Sequence, residues 1–305
     1  MDGSEASSLR KLEIARSCDF TAWLAERRAA IALTTAASGQ LMLLGAAEDG
    51  GLSVFLRPFD GAYGLSGNSQ SLLLATAFQI WRLENTVAPG RSASGYDKLF
   101  VPRVAYTTGE VQAGDVALAA DGSVLFANTL FSCVAAAGPE FSFTPVWRPA
   151  FISRLAPEDR CHLTGFALEE GLLRYVSAAA ASDQPGGWRR NIGVSGLVID
   201  AATHAPVAEG LALPVAPRLH AGRLWLDEAA SGLFGFVHTG NAAFEEVAFC
   251  PGWLSGLAFV DDYALVATSV SRGGQGAGGL PLEANLETYR ARPQTALCVI
   301  ELASG

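Results

Sequence analysis

The chain has no run of basic residues, no apolar stretch of bilayer-spanning length and no Cys-x-x-Cys pair. Each absence closes off a class of function. Binding to a phosphate backbone relies on clustered Lys and Arg that displace counterions. With 21 Lys and Arg against 30 Asp and Glu, and a formal net charge of -9, neither nucleic acid nor an anionic membrane surface is expected as a partner. Apolar runs such as Ala29 to Leu33 and Leu72 to Ala75 fall far short of the roughly 20 residues that a membrane helix needs. Met1-Asp2-Gly3-Ser4-Glu5 is polar and acidic, and no apolar segment with a small-residue cleavage site follows, so a cytoplasmic location is expected. The cysteines (Cys18, Cys133, Cys161, Cys250, Cys298) are odd in number and widely spaced. They read as buried free thiols in a reducing compartment, not as a disulfide framework or a zinc knuckle. Gly-x-Ser-x-Gly and His-Glu-x-x-His are missing too, which removes the starting residues of two common hydrolase mechanisms.

What the chain does have is core-forming material: 50% of its residues are hydrophobic and only 17% charged, a composition that folds. Residues 1–27 read as a helical lead-in, with Ser7 and Ser8 ahead of Leu12, Ile14, Ala15, Trp23 and Leu24 at roughly helical spacing. From there to residue 305, short apolar runs alternate with Gly, Asp, Asn and Pro turns, the texture of a many-stranded antiparallel fold.

A unit recurs in these runs. Gly61 to Leu65 precedes Leu72 to Thr76, Gly114 to Leu118 precedes Val124 to Ala127, and Thr164 to Leu168 precedes Leu172 to Val176. Ala216 to Leu219 then precedes Arg223 to Leu226, and Ser255 to Phe259 precedes Tyr263 to Ala267, with a partial unit upstream at Ile31 to Leu44. A period of roughly 40 to 50 residues is that of a four-stranded propeller blade. The expected fold is therefore an all-β propeller of about six four-stranded blades, spanning 28–305, behind a short helical segment at 1–27. Leu297 to Leu302 would close the ring. Val87 to Tyr96 and the glycine-rich Ser271 to Pro281 interrupt the pattern as loops; the second lacks the Lys and following helix of a phosphate cradle.

The first strand of each blade lines the channel of a propeller, so residues at the unit starts should converge on the axis: Gly64, Asp115, His162 with Thr164, Arg218 and Ser255. Asp115 and His162 are the candidate acid and base; Arg160, Thr164, Arg218 and Ser255 are the candidate ligand-binding residues. A single histidine is no metal site, since about three protein ligands are needed, and no metal is expected; the cofactor is left open. His204, His220 and His238 lie in or beside turns, and the six tryptophans, nearly one per unit, are read as packing between blades.

Asn128 to Cys133, Trp147 to Ser153, Glu158 to Gly165, Gly187-Trp188-Arg189, Gly222 to Trp225 and Cys250-Pro251-Gly252 together resemble an uncharacterised bacterial domain-of-unknown-function family. The resemblance covers nearly the whole chain and implies a propeller-like fold more than a reaction. In the family's pattern a motif opening with His stands where this chain has Gly114-Asp115-Val116-Ala117. Pro-His-Ser-Pro-Arg stands at Pro214 to Arg218, Arg-Gly-Leu at Ser255-Gly256-Leu257, and Cys-His-Leu-Asn-Gly at Cys161 to Gly165. Two of three motif histidines and one arginine are thus replaced, leaving His162. This loss implies a fold that is kept around an altered pocket.

Three functions compete. The first is a non-catalytic or altered-pocket propeller that binds a protein, peptide or small molecule, as companion to a full-motif relative in a hetero-oligomer. The second is an enzyme with an axial Asp/His/Arg pocket for a small anionic substrate or peptide, in which Asp115, His162 and Arg218 meet. The third is a structural module offering flat faces to partners.

Overall fold

The computed structural model describes residues 13–35, 37–270 and 279–305. Ser7, Ser8 and Leu12 of the expected lead-in, and the stretch from Ser271 to Gly278, lie outside them. Within the lead-in only α1 (Phe20–Glu26) is helical; Glu13 to Ser17 are not. The apolar spacing that suggested a longer helix there is too sparse to offset the cost of nucleating one.

Six antiparallel sheets follow in chain order, each a blade of a β-propeller. Blade 1 is β1 (Ile31–Thr35), β2 (Gln40–Ala46) and β3 (Leu52–Pro58). Blade 2 is β4 (Leu65–Gly67), β5 (Ser71–Ala75), β6 (Gln79–Asn85) and β7 (Phe100–Thr107); the expected loop at Val87 to Tyr96 falls between its last two strands. Blade 3 is β8 (Ala113–Leu118), β9 (Val124–Asn128), β10 (Cys133–Ala137) and β11 (Thr144–Trp147). Blade 4 is β12 (Leu163–Glu169), β13 (Leu172–Ala178), β14 (Gly196–Asp200) and β15 (Pro206–Leu211). Blade 5 is β16 (Pro214–His220), β17 (Arg223–Glu228), β18 (Leu233–His238) and β19 (Ala243–Phe249). Blade 6 is β20 (Trp253–Val260), β21 (Tyr263–Ser269) and, after α2 (Pro281–Thr288), β22 (Ala296–Glu301); α2 starts at Pro281, so a helix does follow the glycine-rich stretch, contrary to the sequence expectation, with Pro at its first position as helix starts favour. Each recurring unit of the sequence is the first hairpin of a blade. Among the described residues, the first and last blades have three strands, not four.

The strands read as continuous apolar runs because each blade is packed on both faces. Successive side chains point to opposite sides of a strand. Val124 and Phe126 of β9 therefore enter the core shared with blade 2, while Leu125 and Ala127 enter the core shared with blade 4. Six such cores lie between successive blades, including the one that closes the ring. At the closure Leu265, Leu297 and Val299 of blade 6 meet Ile31, Met42 and Leu44 of blade 1, with Leu24, Phe20 and Trp23 of α1 against them. The last strand does complete the last blade, pairing with β21, but the ring is shut by apolar packing and not by a strand shared between the ends.

The tryptophans serve these cores: Trp81 meets Phe59 edge-on across blades 1 and 2, and Trp225 stacks with Phe234 beside Phe259 of blade 6. Cys133, Cys161 and Cys250 are buried free thiols, but Cys18 is exposed and Cys298 half-buried, because Cys18 precedes the first packed element.

Candidate functional site

The innermost strands β8, β12, β16 and β20 share one irregularity. Their ladders skip Gly114 and Asp115, then Thr164, then Ala216 and Pro217, then Ser255. A bulge of this kind re-aims a side chain out of the pleat. The repeat of the sequence thus becomes a repeat of bulges, and four of the six candidate site residues lie in or directly beside one.

Asp115 and Arg218 meet. Nη1 of Arg218 donates to Oδ2 of Asp115 at 2.8 Å and Nη2 donates to Oδ1 at 2.8 Å. The carboxylate also accepts from the backbone N–H of Val116 at 3.0 Å and of Phe166 at 3.2 Å. Arg218 Nη1 reaches the carbonyls of Phe166 and Pro217 as well. A bidentate charged pair is the strongest geometry open to these groups, and here it ties blades 3, 4 and 5 together. Burial works against the Arg218 charge, yet the attraction of Asp115 more than offsets it and holds its pKa above the usual arginine value. Gly165 makes this approach possible: a Cβ there would lie 2.9 Å from Oδ2 of Asp115 and 2.9 Å from Cδ of Pro217. Thr164 adds a second tie, donating to the Pro214 carbonyl at 2.6 Å and lying 2.8 Å from the Ser177 hydroxyl.

Beside Arg218 a cavity of about 310 Å³ opens, lined by Ser66, Asn68, Val116 to Leu118, Phe166 to Leu168 and Leu219. Its walls come from blades 2 to 5, so it is an axial cavity. One side is apolar, and Arg218 supplies its charged group.

His162 takes a different partner from Asp115. Its Nδ1 is 3.0 Å from both oxygens of Asp159, its ring stacks on Trp188 at 3.8 Å, and Trp188 Nε1 donates to Asp159 at 2.8 Å. The guanidinium of Arg189 lies over the same indole at 4.3 Å. Asp159 and His162 both have positive φ, 44° and 51°, a conformation that costs a non-glycine residue free energy and recurs at functional sites. The sequence places His162 just ahead of β12 and the cavity residues near the far end of that strand, so His162 is not part of the cavity wall.

Arg160 is buried among carboxylates: Nε and Nη2 bind Glu158 at 2.8 and 2.6 Å, and Nη1 binds Asp183 at 2.7 Å. Hydrogen bonds from Ser153 and from Arg160 hold Asp183 down at about 2. Ser255 is exposed on its bulge, with Oγ 3.4 Å from the Ala267 carbonyl. His204 and His238, in or beside turns, are exposed, whereas His220 is half-buried and stacks on Phe259 at 4.3 Å. Among the described residues no cluster of His, Cys, Asp and Glu is arranged to hold a metal.

Sequence reasoning missed Asp159, Trp188 and Asp227. Asp159 stands three residues before His162, a spacing that could have flagged it. Asp227, at the end of β17, is 0% exposed, and neither carboxyl oxygen has a hydrogen-bond partner among the described residues. Burial raises its pKa well above the usual range, against the pull of Arg218.

Solved structures with this architecture are distant in sequence. The PQQ-bound aldose sugar dehydrogenase from Streptomyces coelicolor is 13% identical with a TM-score of 0.53, over 83% of this chain and 89% of that one. A gluconolactonase from Xanthomonas campestris is 17% identical with a TM-score of 0.50, over 81% of each chain. A chain of the nidogen/laminin complex is 11% identical with a TM-score of 0.50, over 78% of this chain and 84% of that one. Identities this low speak for the fold alone. No curated protein matches the chain. The pattern of the family described as a domain of unknown function, DUF4915, matches residues 18–305, and the chain therefore belongs to that family.

Proposed function

We propose that the protein is a non-catalytic binding propeller whose axial cavity takes a small molecule or the tip of a peptide. The observation that carries this reading is the Asp115–Arg218 pair. A carboxylate that serves as a base must be free to take a proton, and this one already accepts four hydrogen bonds. Arg218 is likewise occupied by the carboxylate and two carbonyls. The pair acts as a floor that joins three blades, and Ser66, Leu118, Leu168 and Leu219 around it suit a ligand with one polar and one apolar edge. A partner protein or a related propeller presenting such a group would use the same mouth.

Native mass spectrometry of the protein purified from its own host tests this. A single compound bound one-to-one in the parent chain, and absent from Leu118→Trp at the cavity rim, is the expected result. A bound compound that the protein also converts would replace binding by catalysis.

A second reading rests on the Asp159–His162 pair. A buried carboxylate holding Nδ1 fixes the tautomer and leaves Nε2 to act as a base, in a role the sequence had assigned to Asp115 and His162 together. His162→Gln abolishing turnover of such a compound, with melting unchanged, would favour this reading.

A further inference from the structure

The outer rim of the propeller carries one strand whose exposed centre consists of large apolar residues alone. In the four-stranded blades a fourth strand covers the third, of which β10, β14 and β18 are largely buried and β6 is half-buried. In blade 1 the third strand is β3, and Val54, Phe55 and Leu56 at its centre are 38%, 50% and 38% exposed. Among the described residues no strand pairs with its outer edge.

Exposed edges invite pairing with other chains, and proteins blunt them with Pro and charge. The other outermost strands follow this rule. Pro102 and Arg103 interrupt β7, Pro145 interrupts β11, Glu209 lies within β15, and Glu245 and Glu246 lie within β19. β22 instead turns Leu297 and Val299 into the core beneath α1. β3 keeps Arg57 and Pro58 only at its end.

The register of β3 says what would fit. Ala47 N–H donates to Gly51 and Phe59 N–H to Gly39. Alternation of hydrogen-bonded pairs between these points directs the backbone groups of Ser53, Phe55 and Arg57 toward β2. Leu52, Val54 and Leu56 therefore turn their N–H and C=O groups to the free edge, as does the Pro58 carbonyl. Phe55 is the midpoint of the strand. Antiparallel pairing of β3 with its own copy about Phe55 sets Val54 opposite Leu56, Phe55 opposite Phe55 and Ser53 opposite Arg57. All like-charge contacts are avoided, the three apolar side chains meet apolar partners, and about six hydrogen bonds form.

We propose that β3 is a homodimerisation edge, on which a second copy of this chain adds its own β3 about a two-fold axis through Phe55, joining two three-stranded blades into one six-stranded sheet. Such an isologous contact closes on itself and does not polymerise. It is independent of the axial cavity.

Sedimentation of the full chain from about 1 to 100 µM is expected to show a reversible monomer–dimer equilibrium. Val54→Pro removes an edge-facing donor without touching the β2 ladder, and Phe55→Lys places like charges across the axis. Each is expected to weaken the dimer at least about tenfold with the melting of the monomer retained. In a Cys18→Ser background, Phe55→Cys should oxidise to a covalent dimer, since directly opposed non-hydrogen-bonded residues lie about 4.5 Å apart, whereas Arg57→Cys should not. A chain that stays monomeric throughout and does not cross-link at position 55 overturns the proposal. So does a dimer indifferent to Val54→Pro, or one that forms only after residues 1–12 are deleted, which would make that segment of the same chain the occupant of the edge.

Discussion

Single residues show where this chain departs from simple packing. Asp227 is a carboxyl group sealed between blades 5 and 6 with no hydrogen-bond partner among the described residues. Its folded-state pKa lies above its unfolded value, so between the two the native state holds a proton that the unfolded state has released. Its contribution to stability is intact below about pH 4 and is lost as pH rises toward the folded pKa, at up to about 1.4 kcal/mol per pH unit. Asp227→Asn carries no such dependence. Urea unfolding of both proteins is expected to give similar stabilities at pH 4 and a growing advantage for Asp227→Asn toward pH 8; parallel pH curves would show that Asp227 ionises freely. Nothing in the sequence marked Asp227, because an Asp at a strand end reads as a turn residue. Asp115 and Arg218 were legible for the opposite reason: the repeat put both at the starts of inner strands, Asp115 within one bulge and Arg218 directly after another, and the ring brought them together.

At the level of elements, the bulges of the inner strands carry most of the explanation. A regular ladder would point Asp115 into a neighbouring blade, and the extra residue at Gly114–Asp115 lets it reach Arg218 two blades away. Asp115→Ala would leave Arg218 and the Phe166 N–H without their acceptor. A loss of about 2–4 kcal/mol is expected, reduced from the fully buried case because Arg218 is partly open to the cavity. Asp115→Ala combined with Arg218→Met should recover most of that loss, since no charge is then stranded. Thermal melting of the single and double variants measures it, and equal losses would show that the carboxylate acts through its backbone contacts and not through the ion pair. The sequence hinted at the bulges only as a recurring "small-x-apolar" texture. The three-residue spacing of Asp159 and His162 was the one sign that they could pair; the positive φ of both residues, which turns His162 to Asp159, is set by the backbone around them.

Across the whole molecule, blades 3 to 5 are joined by apolar cores together with axial hydrogen bonds, while blades 6 and 1 meet through an apolar core capped by α1. Opening should therefore begin at this seam. Hydrogen exchange is expected to be faster in β1, β2, β20 and β21 than in β9, β13, β14 and β17, and uniform protection would instead place the whole ring in one cooperative unit. The sequence by itself determined the repeat: strand length, turn chemistry and two-faced apolar runs are local properties, and a strand that must be buried on both faces has few ways to be so except between neighbours. Only the tertiary structure decided which polar side chains became partners and which carboxyl, among the described residues, was left without one. Those outcomes depend on distances across the ring and on backbone bulges, and neither is a property of any short stretch of chain.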